Sequence, residues 1–358
     1  MRVTPASRPM AMPTLEPGHR WQQYLGVHRS VHIINPFWNA TGGSELRALS
    51  LYEQLRGHCN VRLWTDECPD PVLAARYPIT RINTRRLRIP LRGTFVFVGV
   101  YKHPRRWVRW TNPRRVILVY NTPDPGLLDE LTRTMSARSA RAVEIVYASQ
   151  TLARSIGRPG VVQASPIDLC RFVPRPRARP LPADGEFVVG KLSRDAPEKH
   201  HRGDPELYRR LAKAPIRVRL MGATRIAGDV TSAPHADAAA AIEVLPEGAM
   251  EPEAFLQGLD CFFYRTAEHW DEPFGRVVME AMACGLPVVC EDRGGYAEVI
   301  EDGVNGFLFR SDEEAFDVIR GLQRDAALRS RVGRAARETV ERLYSASEHR
   351  EIVAYYTR

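Results

Sequence analysis

The sequence predicts an α/β protein made of two successive series of strands and helices, and three observations carry that reading. The chain has 358 residues, enough for two domains of roughly 150 residues that each bury a core. Short apolar runs of strand length alternate along it with longer stretches of helical period. Between the two series stands Pro174-Arg-Pro-Arg-Ala-Arg-Pro-Leu-Pro182, with four prolines in nine residues. Such a stiff polar segment sits inside neither sheet nor helix.

Residues 1–28 carry Pro5, Pro9, Pro13 and Pro17 without a continuous apolar core, so they are expected to form a loose arm and not a secretory signal. Residues 31–35 read as a first buried strand, followed by a loop and a helix over 44–56. Strands over 61–65, 94–100, 116–120 and 142–148 complete one open, mostly parallel sheet. The second series is expected to place strands at 187–190, 216–221, 261–264 and 287–290, with helices over 205–212, 252–259 and 274–283. From residue 312 onward the pattern is helical and strongly charged. The expected organisation is an arm over 1–28, a first domain over 29–174, a linker over 175–185, a second domain over 186–335, and a helical segment over 336–358 that crosses back to the first domain.

A composition of 44% hydrophobic and 26% charged residues argues against a disordered, collagen-like or membrane-spanning chain. The longest apolar runs fall far short of the roughly 20 residues of a bilayer span. Six cysteines form no C-x-x-C pair and none stands beside a histidine at ligand spacing, so reduced thiols and a cytoplasmic location are expected. The formal charge of +9 is local: residues 81–115 hold ten Arg and one Lys with no Asp or Glu, leaving the rest of the chain at −2.

Chemistry concentrates in Glu272-Pro-Phe-Gly-Arg-Val-Val-Met-Glu280-Ala-Met-Ala-Cys-Gly285-Leu-Pro287. Pro273 suits a first helical turn, and Gly285 with Pro287 supplies the stop. Free N–H groups at Phe274 and Gly275 would then form an anion site at the helix start, and Glu280 inside the helix could accept both hydroxyls of a ribose. A capped surface helix explains this segment alone equally well. The continuation adds a strand, Gly294-Gly295, a short helix through Glu298 and a hairpin-like turn at Asp302-Gly303-Val-Asn-Gly306.

Residues 272–309 resemble the C-terminal signature of retaining glycosyltransferases of the GT-B fold, the large group 1, family 4-like set that includes sucrose synthases, mannosyltransferases and bacterial polysaccharide enzymes. Three further segments fall in that family's order: Asn39-Ala-Thr-Gly42-Gly43-Ser44-Glu45, Pro166-Ile-Asp-Leu-Cys-Arg-Phe-Val-Pro174 and Gly190-Lys-Leu-Ser-Arg194-Asp-Ala-Pro-Glu-Lys199. The resemblance implies two Rossmann-like domains facing each other across a cleft. It also implies transfer of a sugar, with retention, from a nucleotide-diphosphate sugar to a carbohydrate or lipid-linked glycan acceptor in polysaccharide, lipopolysaccharide or glycolipid synthesis.

Carried over position by position, the resemblance makes Arg194 and Lys199 the cations for the diphosphate and Glu272 the carboxylate near the reacting carbon. Gly42, Gly43, Phe274, Gly275 and Arg276 would line phosphate or sugar, Glu280 would bind ribose, and Leu245 would lie near the base. No cofactor is expected. The chain has no Asp-x-Asp pair, so no metal is expected either. Where many relatives place a sugar-contacting histidine, this chain has Asn121, which hydrogen-bonds but does not titrate near neutrality. His200 and His201 are expected to be exposed loop residues. An epimerase, a nucleotide-sugar hydrolase and a non-catalytic binding module are the alternatives.

Arg105, Arg106, Trp107, Arg109 and Trp110 interleave cations with indoles, a pattern that fits peripheral docking on an anionic membrane. A solvated Arg-rich face paired with acidic residues elsewhere fits it equally. Nucleic acid is not an expected partner, because no helix-turn-helix, RNP or zinc spacing accompanies the patch.

Overall fold

The computed structural model describes residues 30–99, 106–175, 187–214, 216–231 and 241–358. The arm over 1–28, nearly all of the 175–185 linker and Arg105 lie outside the described residues.

Two parallel sheets form, each with helices on its faces. In the first, β1 (Ser30–Ile34), β2 (Asn60–Thr65), β3 (Ile79–Arg81), β4 (Arg92–Val98), β5 (Asn112–Tyr120), β6 (Val143–Tyr147) and β7 (Val161–Val162) lie in the order β3-β2-β1-β4-β5-β6-β7. Its helices are α1 (Gly43–Leu55), α2 (Pro71–Arg76), α3 (Pro125–Ser139) and α4 (Gln150–Ile156). The second orders β8 (Phe187–Leu192), β9 (Ile216–Met221), β10 (Ile242–Leu245), β11 (Cys261–Tyr264), β12 (Val288–Glu291) and β13 (Phe307–Phe309) as β10-β9-β8-β11-β12-β13. With it go α5 (Asp204–Lys213), α6 (Ala227–Thr231), α7 (Pro252–Gln257), α8 (Arg276–Ala283), α9 (Asp312–Arg324) and α10 (Ala326–Leu343), and the chain ends in α11 (Ala346–Thr357).

Central strands of a parallel sheet are covered on both faces, so they read as continuous apolar runs. That is why β1, β4, β5 and β11 stand out in the sequence and are almost wholly buried. Beyond the expected strands, the structure adds β3, β7, β10 and β13. Three of these are two or three residues long, and all four lie at sheet edges. The expected hairpin-like turn at 303–306 instead feeds β13, which pairs in parallel with β12. Helix α8 starts at Arg276, two residues later than expected, because Gly275 takes a left-handed φ of 78° as its N-cap. Pro273 therefore precedes the helix.

Trp107 is corrected from surface patch to core. It is 5% exposed and packs its ring against Phe95 and Phe97, with centroids 6.1 and 6.3 Å apart. Trp110 is 52% exposed, with Arg109 5.1 Å from its ring centre. No helix among the described residues is long and apolar enough to cross a membrane.

The C-terminal helix α11 packs on the first sheet. Tyr356 is buried there and its hydroxyl meets Gln163 Oε1 at 3.0 Å. Glu144 on β6 accepts from Arg115 Nε at 2.7 Å, from the Tyr355 hydroxyl at 3.1 Å and from Arg358 at 2.9 Å. The Arg115 hydrogen bond leads in pulling the Glu144 carboxyl from its ordinary 4.5 down to about 2. A depressed carboxyl stabilises the folded state above its unfolded value and loses that contribution as pH falls through the folded one. Glu144→Gln should therefore lower the melting temperature at pH 7 and narrow its gap to wild type between pH 4.5 and 2. A gap that stays constant across that window counts against the clamp.

Candidate active site

The carboxyl ends of parallel strands carry the loops that build sites in open α/β sheets, and here the loops of the two domains meet. The Thr41 hydroxyl donates to Glu247 Oε1 at 2.8 Å, and Glu247 Oε2 accepts from Asp195 N at 2.9 Å. Ser149, the N-cap of α4, donates its hydroxyl to the Pro273 carbonyl at 2.6 Å. Arg276 Nη1 reaches the Pro166 carbonyl. Glu298 of the second domain accepts from the amides of Gln150, at 2.9 Å, and Thr151. A carboxylate at a helix N-terminus satisfies open donors and complements the dipole, so Glu298 caps a first-domain helix.

Of the residues expected from sequence, the structure brings Lys199 and Glu272 together. Lys199 closes a turn over Pro197–Lys199, is 8% exposed, and donates Nζ to Glu272 Oε2. The Tyr264 hydroxyl, at the end of β11, donates to the same oxygen at 3.0 Å. Burial, followed by the Glu272 charge, pushes the Tyr264 phenol well above its usual range, so it remains a donor. Arg194 is not drawn into this group: it is exposed and paired with Glu198 at 3.1 Å.

Glu280 is buried on α8 and held by Arg276 Nε at 2.8 Å. Burial raises its carboxyl pKa against the opposing pull of Arg276. Phe274 is buried, and Leu245 ends β10 with its carbonyl bonded to Gly222 N at 2.9 Å. Gly275 has no room for a side chain, since a Cβ would stand 2.6 Å from the Tyr296 ring. At Gly42 a Cβ would collide with the Glu45 carboxylate, whereas Gly43 faces open space. Asn121 follows β5, and its Oδ1 accepts from Arg47 Nη1 at 2.6 Å.

The histidines depart from expectation. His200 is buried, with Nε2 3.1 Å from Asp195 Oδ1, and burial lowers its pKa below the ordinary value. His201 is half-buried. Among the described residues no three His, Cys, Asp or Glu side chains gather as a metal-holding group.

Sequence reasoning missed Tyr264, Glu298 and Arg293. Arg293, just after β12, donates to the carbonyls of Thr266 and Ala267 at 2.8 Å each, to those of Glu268 and Trp270 at 3.3 and 3.2 Å, and to Asp271 Oδ1 at 3.2 Å. Its Nε is held by Glu291 at 2.5 Å. One guanidinium thus grips the whole 266–271 loop that delivers Glu272. Its place next to Gly294-Gly295 was a weak signal in the sequence.

In the rest of the first domain, Arg85, Arg86, Arg88, Arg92, Arg106 and Arg109 are exposed, as are Leu87, Leu91 and Trp110. Arg115 is instead neutralised by Glu144.

Residues 174–339 match the family model described as "Glycosyl transferases group 1". A D-inositol 3-phosphate glycosyltransferase of Arthrobacter sp. (strain FB24) is 31% identical over 59% of this chain and 52% of its own length. A GDP-mannose-dependent alpha-mannosyltransferase of Mycobacterium tuberculosis is 30% identical over 63% of this chain and 61% of its own. The chain thus spans little more than half the length of these curated relatives. The crystal structure of HepE from Anabaena in complex with UDP and glucose aligns with a TM-score of 0.69 at 16% identity, covering 92% of this chain and 99% of that one. The fold is GT-B, as the sequence motifs imply.

Arg293→Ala removes one donor from each of five loop acceptors, of which the Ala267 and Trp270 carbonyls keep another, and should cost about 2–4 kcal/mol in denaturant unfolding. It should also open the 266–271 loop to proteolysis. Unchanged stability would mean that the grip is dispensable.

Proposed function

We propose, from the match of residues 174–339 to the group 1 glycosyltransferase model, that the protein transfers a glycosyl group from a nucleoside-diphosphate sugar to an acceptor hydroxyl, with retention and without a metal. The observation that carries the reading is the convergence of Lys199, Glu272 and Tyr264 beside the start of α8, at the seam of the two domains.

In this reading the bond from the anomeric carbon to the diphosphate oxygen breaks and the acceptor oxygen attacks from the same face. Its proton passes to the departing phosphate. The leaving diphosphate gains charge as that bond breaks, and fixed cations placed where charge develops lower the barrier. Lys199 supplies one and the exposed Arg194 side chain a second. Glu272, freed from Lys199 by the incoming phosphate, holds a sugar hydroxyl near the reacting carbon, and Glu280 accepts from the ribose. A carbohydrate or lipid-linked glycan acceptor would enter from the first domain, in the synthesis of a polysaccharide, lipopolysaccharide or glycolipid.

Thermal shift with UDP, GDP, dTDP and ADP, each with and without its sugar, identifies the donor, because a ligand of the folded state raises its melting temperature. Product analysis then separates transfer from epimerisation or hydrolysis. Glu272→Gln and Lys199→Ala should each lower kcat by about 100-fold or more, the scale of losing one group that stabilises developing charge. Full turnover by either folded variant would sink the assignment, and nucleotide binding without chemistry in wild type would favour a binding module.

The exposed arginines flanking Leu87, Leu91 and Trp110 support docking on an anionic membrane, at about 1 kcal/mol per basic residue near the surface. Flotation with phosphatidylglycerol vesicles should recover the protein, and reversal of Arg85, Arg86 and Arg88 to Glu should release it. Equal recovery on neutral vesicles would rule the docking out.

A further inference from the structure

Arg47 lies on α1, 4% exposed, and both groups it binds are neutral: Asn121 Oδ1 at 2.6 Å and the Gln163 carbonyl at 2.9 Å. Among the described residues no carboxylate pairs with it. The charge-bearing groups that face it are Tyr356, Tyr344 and a second cation, Arg276. Burial lowers the Arg47 pKa to about 10, so the guanidinium is still charged at neutral pH. Buried charges are ordinarily paired, because an uncompensated one is costly. This one is retained on Asn121, the position where the family resemblance implies a sugar contact.

A guanidinium has five donors and no acceptor. The Asn121 atom that faces Arg47 must therefore be the carbonyl oxygen, and the usual ambiguity of amide orientation is removed by chemistry. With Oδ1 occupied, Asn121 Nδ2 is turned away from Arg47, and no described residue accepts from it. A histidine at this point could donate or accept according to tautomer and charge, and a free asparagine could flip. An asparagine held by arginine does neither.

We propose that Arg47 is a positioning residue that fixes the Asn121 amide with its Nδ2 donor turned away from Arg47, so that position 121 favours a substrate sugar presenting an acceptor oxygen to that nitrogen. The inference deepens the transferase reading and rests on it for the identity of the ligand, but the lock itself is a property of the free protein.

Asn121→Asp separates the two. The change is isosteric, gives Arg47 the counter-ion it lacks, and removes both side-chain N–H groups of position 121. The ligand-free variant should melt several degrees above wild type at pH 7. In calorimetry, UDP and GDP should bind it within twofold of wild type, while UDP-glucose or GDP-mannose, whichever wild type prefers, should bind tenfold or more weakly. The kcat/KM should fall at least as far. In Arg47→Met, where Asn121 is free to turn, KM for the sugar donor should rise severalfold with nucleotide affinity unchanged, and Arg47→Lys should restore part of it.

A ligand-free Asn121→Asp melting at or below wild type would overturn the lock. Sugar-donor binding and turnover within twofold of wild type would overturn the donor role. Wild type that binds UDP or GDP but moves no sugar would defeat the transferase reading while leaving the melting comparison to decide the lock.

Discussion

The contact between Lys199 and Glu272 is the constraint on which the rest of the site depends. It joins the loop leaving β8, which holds only the short turn over Pro197–Lys199, to the loop between β11 and α8. The geometry is over-determined from behind: Tyr264 fixes the carboxylate, Gly295 N bonds to the Glu272 carbonyl at 2.8 Å, and Arg293 ties down the residues leading in. A Cβ on Gly294 would stand 3.0 Å from that carbonyl. The glycine pair is therefore a packing requirement of the Glu272 loop. Holding the backbone of this loop in place from behind leaves only the Lys199–Glu272 side-chain contact to exchange if a ligand enters.

Beneath the loops the second domain buries a second charged group. Lys191 and Arg265 both meet Asp204, at 2.8 and 2.6 Å, and Arg265 also reaches Asp312. These four residues come from β8, α5, the end of β11 and the start of α9. Asp204 is fully buried, and Lys191 with Arg265 lowers its carboxyl pKa against the opposing effect of burial. Breaking such a group strands a charge, which fixes the relative placement of its elements more firmly than apolar packing does. Lys191 and Asp204 bracket the loop that carries Lys199, His200 and His201, so that loop springs from two paired, buried residues.

What was legible in the sequence follows from what kind of interaction each residue makes. The central strands and the glutamates of the 272–309 segment are local patterns, and they were readable. Arg47, Tyr264 and Arg293 act through partners 8 to 116 positions away, and apart from the glycines after Arg293 nothing in their own neighbourhood announces them. Trp107 and Trp110 show the same limit: three residues apart in one short turn, one faces Phe95 and Phe97 and the other solvent. Interleaved Arg and Trp described composition correctly, but only the fold could say which indole belongs to the surface. Arg194 was placed by its motif, yet its local partner Glu198, four residues on, holds it outward.

The seam between domains explains why separate motifs travel together in one chain. Glu298 looks, in sequence, like a residue of the second domain's own short helix, but its carboxylate satisfies the open amides of α4 in the first. Ser149 caps that helix from its own side, at 3.1 Å to Leu152 N, while donating to Pro273. Glu247 does the same at the opposite edge, holding both Thr41 beside the glycine loop and the Asp195 amide beside Arg194. The Ser149 hydroxyl and the Glu247 carboxylate are thus each bonded in both domains at once. Opening the cleft would break these contacts together and expose polar groups that water can satisfy. On the proposed transferase reading, such polar contacts sit where a charged nucleotide sugar would enter and a diphosphate leave.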